Sequence, residues 1–442
     1  MDNDDKRQLS RRTFLTLSAL GAGAAILPVS TANAAAEKLR TSARIVIVGA
    51  GAAGLSLASR LSKALEGASI TLIDARREHF YQPGFTLVAS GIKPQDYPVS
   101  RTADYVPKDV RLVEERVSEI DPESNQVTTE SNTRFDYDYL FVACGMVLDY
   151  ASIEGMDTSR IGSNGMGSFY HGPQAAHATW EEMSRFADRG GVGVFHRPNT
   201  EMKCAGAPLK YAFIVEDYLT RRGTRSRSEV IYNSNNKALF SVPIVSEKVR
   251  MLYHQRDIQM NYDRVLQAID LDRRVASFSS PEGRVDLDYD FINVIPPMKA
   301  PDVIRNSPLP WQTGAWANEG WMEVDRGTLR HARYPNVFGV GDIAGVPKGK
   351  TAASVKWQVP VAIDHLLADL SGTTSDALYT GYTSCPMITR LGQAMLVEFD
   401  YENNLMPSFP GLIAPLEELW ISWVMKTMGL KPTYISMLRG RA

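Results

Sequence analysis

Two of the three cysteines in this 442-residue chain lie where thiol chemistry is possible. Cys204 stands in the stretch TEMKCAGAPLKYAF, and Cys385 stands in GYTSCPMIT. Both are flanked by small, turn-forming or polar residues, which favours loops over core strands. In an oxidising compartment the two thiols could form a structural disulfide, or they could form a redox-active pair that exchanges with a small thiol. The residue types alone leave both alternatives open.

A glycine-rich turn predicts a dinucleotide site near the N-terminal end of the fold. The sequence GAGAAG follows the apolar run ARIVIVG and opens the helix-like stretch LSLASRLSKAL. Gly49 permits a tight turn, Gly51 lets the backbone approach a pyrophosphate, and Gly54 allows close helix packing, with Ala53 between them. Asp74, at the end of the next predicted strand, is placed to bind ribose hydroxyls.

Two later segments favour FAD over NAD as the ligand. The stretch RYPNVFGVGDIAG resembles the second FAD motif of the glutathione-reductase-like flavoproteins. By that resemblance Asp342 contacts the ribityl and phosphate region, and Gly341 allows close approach. The turn VACG, which ends in Gly145, resembles the ATG turn of the same flavoproteins.

The second half of the chain lacks the glycine loop that a nicotinamide cofactor needs. The predicted strand GVGVF runs into HRPNTEMKCAGAPLKYAF, which places Pro198 and Cys204 where the phosphates of the nucleotide would lie. Without glycines the backbone cannot approach a pyrophosphate closely. We therefore expect an electron donor other than NAD(P)H, and the cysteine suggests sulfur.

Seven segments in the same order resemble the sulfide:quinone oxidoreductases, most closely the branch with the mitochondrial enzymes. They are VGAGAAG, FYQPGFTLV, MKCAGAPLK, VIPPMKAPDV, RYPNVFGVGD, KTAAS and GYTSCPMIT with LVEFDY after it. The resemblance implies that Cys204 and Cys385 form a catalytic disulfide beside FAD. It implies a persulfide at Cys385, Cys204 facing the flavin, and Lys350 near the flavin pyrimidine edge. Sulfide, a small sulfur acceptor and a quinone are the implied reactants.

Six positions carry weaker expectations. Cys144, in the VACG turn, is expected to be a buried, unreactive thiol against the FAD region. Glu201 and His196 lie close to Cys204 in sequence and are candidates for proton transfer, although each could be a solvated loop residue. By resemblance the pair Pro296 and Pro297 forms a turn near the flavin and the quinone entry. Lys350 could equally be a solvated surface lysine.

The pattern of strands and helices predicts an α/β protein with two Rossmann-like, three-layer lobes of the glutathione-reductase type. The expected divisions are a signal peptide (1–34), an FAD-binding lobe in two parts (43–160 and 301–375), a second lobe with Cys204 (161–300) and a C-terminal segment with Cys385 (376–442).

Both ends of the chain suggest a membrane location. The start, with Arg11, Arg12 and an apolar run before Ala32-Asn33-Ala34, is typical of a twin-arginine export signal. In the tail, six apolar residues at roughly helical spacing predict an amphipathic helix lying on a membrane surface. They are Leu416, Leu419, Trp420, Trp423, Val424 and Met428, with the basic residues Lys426, Lys431, Arg439 and Arg441 nearby to face the lipid surface. A helix docked on the protein itself is the alternative. The expected location is therefore the periplasmic face of the inner membrane.

Composition narrows the remaining function classes. With 48 basic and 50 acidic side chains, no net field favours nucleic acid. We expect no metal ion, and the absence of C-x-x-C-H excludes a c-type haem. A homo-oligomer is compatible with the sequence. The rivals are the flavoprotein subunit of a flavocytochrome c sulfide dehydrogenase, a type II NADH dehydrogenase, and a non-catalytic flavin-binding electron-transfer protein.

Overall fold

The first lobe is built on strand β1 (Arg44–Val48), whose sequence RIVIV is buried from Ile45 onward. Such continuous apolar runs suit parallel strands that are covered on both faces. Helix α1 (Ala52–Ala64) leads to β2 (Ser69–Ile73), and β3 (Val110–Val113) extends the sheet beyond β2. The computed structural model describes residues 38 to 442, so the predicted export signal lies outside the described residues.

A small antiparallel sheet separates β3 from the next strand of the main sheet. It contains β4 (Val117–Asp121), β5 (Gln126–Thr129) and β6 (Arg134–Asp136). The chain then returns to the main sheet as β7 (Tyr139–Val142), which lies parallel to β1.

The second lobe repeats this plan. Its main sheet is parallel and has five strands in the order β8-β15-β9-β10-β11. The elements in chain order are β8 (Met166–Gly167), α2 (Pro173–Arg189), β9 (Gly191–His196), α3 (Ala207–Arg221), β10 (Ser228–Asn233), α4 (Pro243–Gln255), β11 (Ile258–Asn261), the antiparallel β12 (Val265–Asp270), β13 (Val275–Ser280) and β14 (Gly283–Asp288), and β15 (Phe291–Asn293).

The chain then completes the first lobe. Strand β16 (Val337–Gly339) pairs in parallel with β7, which gives the order β16-β7-β1-β2-β3. Helix α5 (Ala352–Leu370) packs against α1, and the Thr351 hydroxyl caps it by accepting a 3.1 Å hydrogen bond from the Ser354 amide. The predicted α/β fold with two Rossmann-like lobes is confirmed.

The C-terminal part begins with a hairpin and ends in short helices. Strands β17 (Thr383–Arg390) and β18 (Gln393–Phe399) are antiparallel, and α6 (Trp420–Val424) continues through a π-helical turn (Met425–Gly429) into α7 (Leu430–Leu438). In the part of the chain that the structure describes, no helix is long and apolar enough to cross a membrane. Short connecting elements are Glu78–Phe80, Phe85–Val88, Val99–Arg101, Val147–Leu148, Met298–Lys299 and Asp302–Arg305.

Candidate active site

The predicted glycine turn joins β1 to α1, and each glycine has its own steric reason. Gly49 has φ +101°, and a Cβ there would lie 2.6 Å from the Ala143 carbonyl oxygen. A Cβ at Gly54 would overlap the carbonyl oxygen of Gly49, so this helix approaches its own entry turn closely. Gly51 has no atom within 4 Å of a Cβ and opens onto a cavity.

That cavity has a volume of 560 Å³ and lies between the glycine turn, the second lobe and the C-terminal hairpin. Seven of the predicted site residues line it: Gly51, Ala53, Gly145, Cys204, Gly341, Asp342 and Lys350. Gly49, Gly54, Asp74 and Cys385 are not among the lining residues.

Asp74 stabilises the glycine turn from the side away from the cavity. Its carboxylate accepts hydrogen bonds of 2.7 Å from the Ala50 amide and 2.8 Å from the Arg76 amide, and it pairs with the Arg76 guanidinium at 3.3 Å. Arg76, rather than Asp74, lines the cavity. The ribose contact of Asp74 stays a prediction.

The residues at this end of the cavity fit an FAD pyrophosphate. Helix α1 has no side-chain cap, so its first amides are free to bind an anion above the open Gly51. Arg76 and Lys203 add two cations to the same wall. Burial lowers the pKa of Lys203 to about 8, and its ammonium lies 5.5 Å from the centre of the Tyr170 ring.

The loop after β16 brings Gly341, Asp342 and Lys350 together. Gly341 has φ +84°, and a Cβ there would be 3.2 Å from that of Ala53, so this loop packs tightly on α1. The Lys350 ammonium donates to the carbonyl oxygens of Asp342 at 2.7 Å and Ala344 at 3.0 Å. It is therefore a buried loop residue, and a solvated surface lysine is excluded. Burial lowers its pKa to about 8.

Cys204 occupies a strained turn directly before α3. Its φ of +50° lies in the left-handed region that non-glycine residues rarely adopt, which fixes the direction of its side chain. Its amide donates to the Lys350 carbonyl at 3.0 Å, and its carbonyl accepts the Ala207 amide at 2.8 Å. The turn thus ties the cysteine to the FAD loop on one side and to the start of a helix on the other.

Cys385 reaches the same place from the C-terminal hairpin. It is the third residue of β17, pairs with Val397 and is 3% exposed, so the expectation of a loop is wrong for this cysteine. The flanking turn-forming residues misled that prediction because the strand begins only two residues earlier. Its thiol lies close enough to the Cys204 sulfur to shift the pKa values of both groups, and both cysteines are free thiols in the structure.

The hairpin also occupies the N-terminus of α3. A Cβ at Gly206 would overlap the Cys385 sulfur, and α3 packs along β17. In a nucleotide-binding lobe this position holds phosphates. Cys204 and the hairpin that carries Cys385 fill it here, which agrees with the predicted loss of the nicotinamide loop.

Two buried lysines face the cysteine pair, and sequence analysis missed both in this role. The Lys210 ammonium lies 3.7 Å from the Cys204 sulfur and is 1% exposed. Lys426, 3% exposed, comes from the π-helical turn and donates to the Pro83 carbonyl at 3.0 Å. The sequence pattern could have indicated this role. Each is a single lysine inside an apolar run, APLKYAFIV or SWVMKTMGL, and a charge that is buried with such a run needs a partner of opposite charge.

The surrounding groups shift the pKa values of the two thiols in opposite directions. The hydrogen bond from Cys385, followed by the charges of Lys210 and Lys426, holds the pKa of Cys204 well below its usual value despite burial. The same hydrogen bond and burial raise the pKa of Cys385. Burial and then Lys210 lower the pKa of Lys426 to about 7. In the reduced pair Cys204 is a thiolate and Cys385 keeps the proton.

The third cysteine and the two proton-transfer candidates lie outside this pair. Cys144 lines the cavity, and burial raises its pKa to about 12, so it is a poor nucleophile. His196 is buried in the second lobe, where its Nε2 accepts the Ile295 amide at 3.1 Å and burial lowers its pKa to about 4. Glu201 is exposed, and neither it nor His196 lines the cavity.

Comparisons with known proteins agree with this architecture. The family model of pyridine nucleotide-disulphide oxidoreductases matches residues 43–177. The chain is 32% identical to the mitochondrial sulfide:quinone oxidoreductase of Mus musculus, over 90% of this chain and 86% of the mouse protein. It is 35% identical to the enzyme of the same name from Dictyostelium discoideum, over 85% of this chain and 81% of that protein.

A solved structure shares the fold. The crystal structure of the sulfide:quinone oxidoreductase from Aquifex aeolicus superposes with a TM-score of 0.72, covering 90% of this chain and 92% of that one at 20% identity. The cofactor of these flavoproteins is FAD, and it is the cofactor of this chain. By its extended identity to the mouse and Dictyostelium enzymes, the chain belongs to the sulfide:quinone oxidoreductase family.

Proposed function

We propose that the protein oxidises sulfide to sulfane sulfur through Cys204 and Cys385 and passes the electrons through FAD to a quinone. The observation that carries this proposal is the contact between the two sulfurs at the wall of the FAD cavity, with Lys210 beside them. A structural disulfide alone would not need a buried ammonium beside its sulfur, since burying that charge costs free energy.

The residues around the pair suit an anionic nucleophile. Hydrosulfide carries one negative charge, and the ammonium groups of Lys210 and Lys426 attract it to a site that is otherwise apolar. Attack of hydrosulfide on one sulfur of the Cys204 to Cys385 disulfide forms one S–S bond and breaks another. The products are a persulfide on the attacked cysteine and a thiolate on the other.

The placement of the two sulfurs favours Cys385 as the persulfide carrier. Cys204 lines the cavity, whereas Cys385 lies behind it among core residues such as Met387 and Val397. The lysines stabilise Cys204 as the leaving thiolate. FAD, when bound, supplies two-electron redox chemistry. A second nucleophile then removes the sulfane sulfur from Cys385, and loss of two electrons from the dithiolate restores the disulfide.

Quinones are dissolved in the lipid bilayer, so the proposed acceptor requires the protein to contact a membrane. Exposed apolar residues beside the cavity support such a contact. Trp357 and Phe409 line the cavity and are 50% and 41% exposed, and Met406 and Leu412 of the same loop are 42% and 69% exposed. We name Trp357, Met406, Phe409 and Leu412 the apolar rim. A monomeric soluble protein rarely clusters such residues at the mouth of a site.

The tail contributes less to this surface than its sequence pattern predicted. Of the six apolar residues, Trp420 and Met428 are exposed, and the other four are partly buried. Lys426, expected beside a lipid surface, points inward, and Ser59 donates to the Leu438 carbonyl at 2.6 Å. Much of the tail is thus docked on the protein itself, so the proposed membrane contact rests chiefly on the apolar rim.

The proposed location is the periplasmic face of the inner membrane, with export by the twin-arginine route. Its support is the sequence of residues 1–34 alone. Replacing Arg11 and Arg12 with lysine should leave the protein, with its uncleaved leader, in the cytoplasmic fraction. Cleavage and export unchanged by the replacement would refute this route.

The direct test of the proposed function follows the flavin absorbance under anaerobic conditions. Sulfide should bleach the FAD of wild type, and a short-chain quinone should restore it. Cys204→Ser and Cys385→Ser should show neither effect, because each removes one sulfur of the disulfide. Equal reduction in both variants would return the cysteines to a structural role, and reduction by NADH would favour the nucleotide-dependent rival.

A further inference from the structure

A buried carboxylate stands in the wall of the cavity on the far face of the C-terminal hairpin. Side chains of β17 and β18 alternate: Cys385 and Val397 face the core, whereas Ser384 and Glu398 line the cavity. Glu398 is 3% exposed. A carboxylate at such a position needs strong partners, because burial penalises its charge.

Three donors meet this carboxylate. Tyr382 donates its hydroxyl to Oε1, and Ser408 donates its hydroxyl to Oε1 at 2.5 Å and its amide to Oε2 at 2.8 Å. Tyr382 lines the cavity, and its ring lies 5.4 Å from that of Trp357. Ser408 is exposed and belongs to the loop of the apolar rim. A continuous chain of hydrogen bonds thus runs from solvent at Ser408, through Glu398, to the cavity at Tyr382, and the hydroxyl oxygens of Ser408 and Tyr382 are also 3.3 Å apart.

Other charged groups are near this chain but do not interrupt it. Lys356 lines the cavity with its ammonium 5.9 Å from the Trp357 ring. Lys348, across the strand, lies over the Phe399 ring and donates to the carbonyl of Asp400. None of these groups is hydrogen-bonded to Glu398 in the described part of the chain.

We propose that Glu398 and Tyr382 form the proton-delivery path to the quinone. This inference rests on the proposed function, and it assigns a role that the sulfur chemistry of the cysteines does not supply. Reducing a quinone to a quinol adds two electrons and two protons. FAD, when bound, would supply the two electrons together with one hydrogen, so the second proton of the quinol would come from residues of this chain.

The transfer moves one proton along this path and leaves one negative charge on Glu398. Before transfer Glu398 is a carboxylic acid that donates to the Tyr382 oxygen, and Tyr382 donates to a quinone oxygen. The Tyr382 proton forms the new O–H bond of the quinol as the Glu398 proton replaces it on Tyr382. The product state is a Glu398 carboxylate that accepts a hydrogen bond from Tyr382, which is the arrangement in the structure. A solvent proton then recharges Glu398 through Ser408.

The test isolates the quinone step. Each holoenzyme is reduced anaerobically with dithionite and mixed in a stopped-flow instrument with a short-chain ubiquinone or with ferricyanide, between pH 5.5 and 9. Glu398→Gln keeps the shape of the side chain but cannot carry a proton, and Tyr382→Phe keeps the ring but lacks the hydroxyl. Glu402→Gln is the matched control, since Glu402 is exposed and pairs with Arg326 at 3.1 Å.

Glu398→Gln and Tyr382→Phe should slow reoxidation by ubiquinone about 10- to 100-fold, in the range of general acid catalysis. Ferricyanide, which takes electrons without protons, should oxidise all four proteins alike throughout this pH range. Ubiquinone rates of both variants equal to Glu402→Gln would overturn the proposal. So would an equal slowing with ferricyanide, which indicates a distorted loop.

Dithionite makes this test independent of the sulfur reaction. A wild type that sulfide cannot reduce, but that ubiquinone reoxidises, would refute the sulfide half of the proposed function and leave the Glu398 result standing. A dithionite-reduced wild type that ubiquinone does not oxidise would overturn the quinone half of the proposed function and the Glu398 proposal with it.

Discussion

The Lys210 ammonium and the Cys204 sulfur are 3.7 Å apart: Lys210 lies in the first turn of α3, and Cys204 lies in the turn that precedes this helix. Their pKa values move in opposite directions. That of Cys204 falls, and that of Lys210 rises because the negative charge on the cysteine pair outweighs the opposing effect of burial. A thiolate and an ammonium that stabilise each other in a buried site form a preorganised leaving group for disulfide exchange.

Lys210→Met should raise the pKa of the Cys204 thiol in the reduced protein. With the ammonium gone, only the Cys385 thiol and the Lys426 charge oppose the effect of burial. The alkylation rate of Cys204 should therefore rise at a pH about one unit or more higher than in wild type. The measurement is the iodoacetamide rate against pH in a Cys144→Ala background. Lys237→Met, at an exposed lysine, is the control. An unchanged profile would show that Lys210 does not set the charge of Cys204.

Lys426→Met should stabilise the fold, most strongly at low pH. The pKa of Lys426 falls to about 7 in the folded protein from a usual 10.5, so the unfolded chain binds an extra proton between these values. The stability of wild type therefore rises with pH through this window. Below about pH 7 the folded protein bears the full free-energy cost of burying the charged Lys426 ammonium. The gain in Tm of the variant should be largest at pH 6 and clearly smaller at pH 9.

The same variant tests the inward orientation of Lys426. If the gain in Tm is independent of pH, Lys426 is not a buried cation that loses its proton on folding. If the variant is less stable than wild type at pH 6, the hydrogen bond from Lys426 to the Pro83 carbonyl in wild type outweighs the cost of burying the lysine.

Gly206→Ala should separate the two cysteines. The added methyl group would overlap the Cys385 sulfur, so the hairpin or the start of α3 must shift. We expect a lower Tm and sulfide reduction of FAD slowed at least tenfold, because disulfide geometry is specific. Gly429→Ala is the matched control, since open space surrounds a Cβ at that helical position and alanine favours helix. Equal behaviour of the two variants would contradict the proposed contact.

The sequence could predict those parts of the fold whose physical cause is local. The GAGAAG turn between an apolar strand and a helix, and the helix that follows Cys204, are both set by glycine sterics and apolar periodicity. The hairpin was different. Short flanking signals around Cys385 suggested a loop, and only its pairing with β18, a tertiary contact, makes it a strand.

The site was predicted only where a motif carried it. Cys204, Cys385 and the FAD loops were found from motifs, but Lys210, Lys426 and Glu398 acquire their significance from neighbours distant in sequence. The amphipathic pattern around Lys426 is compatible both with a lysine at a lipid surface and with a lysine buried beside a thiolate. Periodicity gives the faces of a helix without saying what covers them, so the docking of the tail could not be derived.

The apolar rim gives the last prediction, which concerns the membrane. Replacing both Phe409 and Leu412 with aspartate adds two negative charges to the rim, one of them at Leu412, its most exposed residue. Transfer of one such side chain from water into the membrane is favourable by about 1.5–3 kcal/mol. Binding to vesicles of bacterial lipid should therefore weaken at least tenfold in a sedimentation assay. Leu378→Asp is the control, since Leu378 is 63% exposed and packs near Gly327 of the first lobe. Ferricyanide reoxidation should not change, because it needs no membrane. If the double variant and Leu378→Asp bind vesicles equally well, the rim is not the membrane contact, and Trp420 and Met428 become the next candidates.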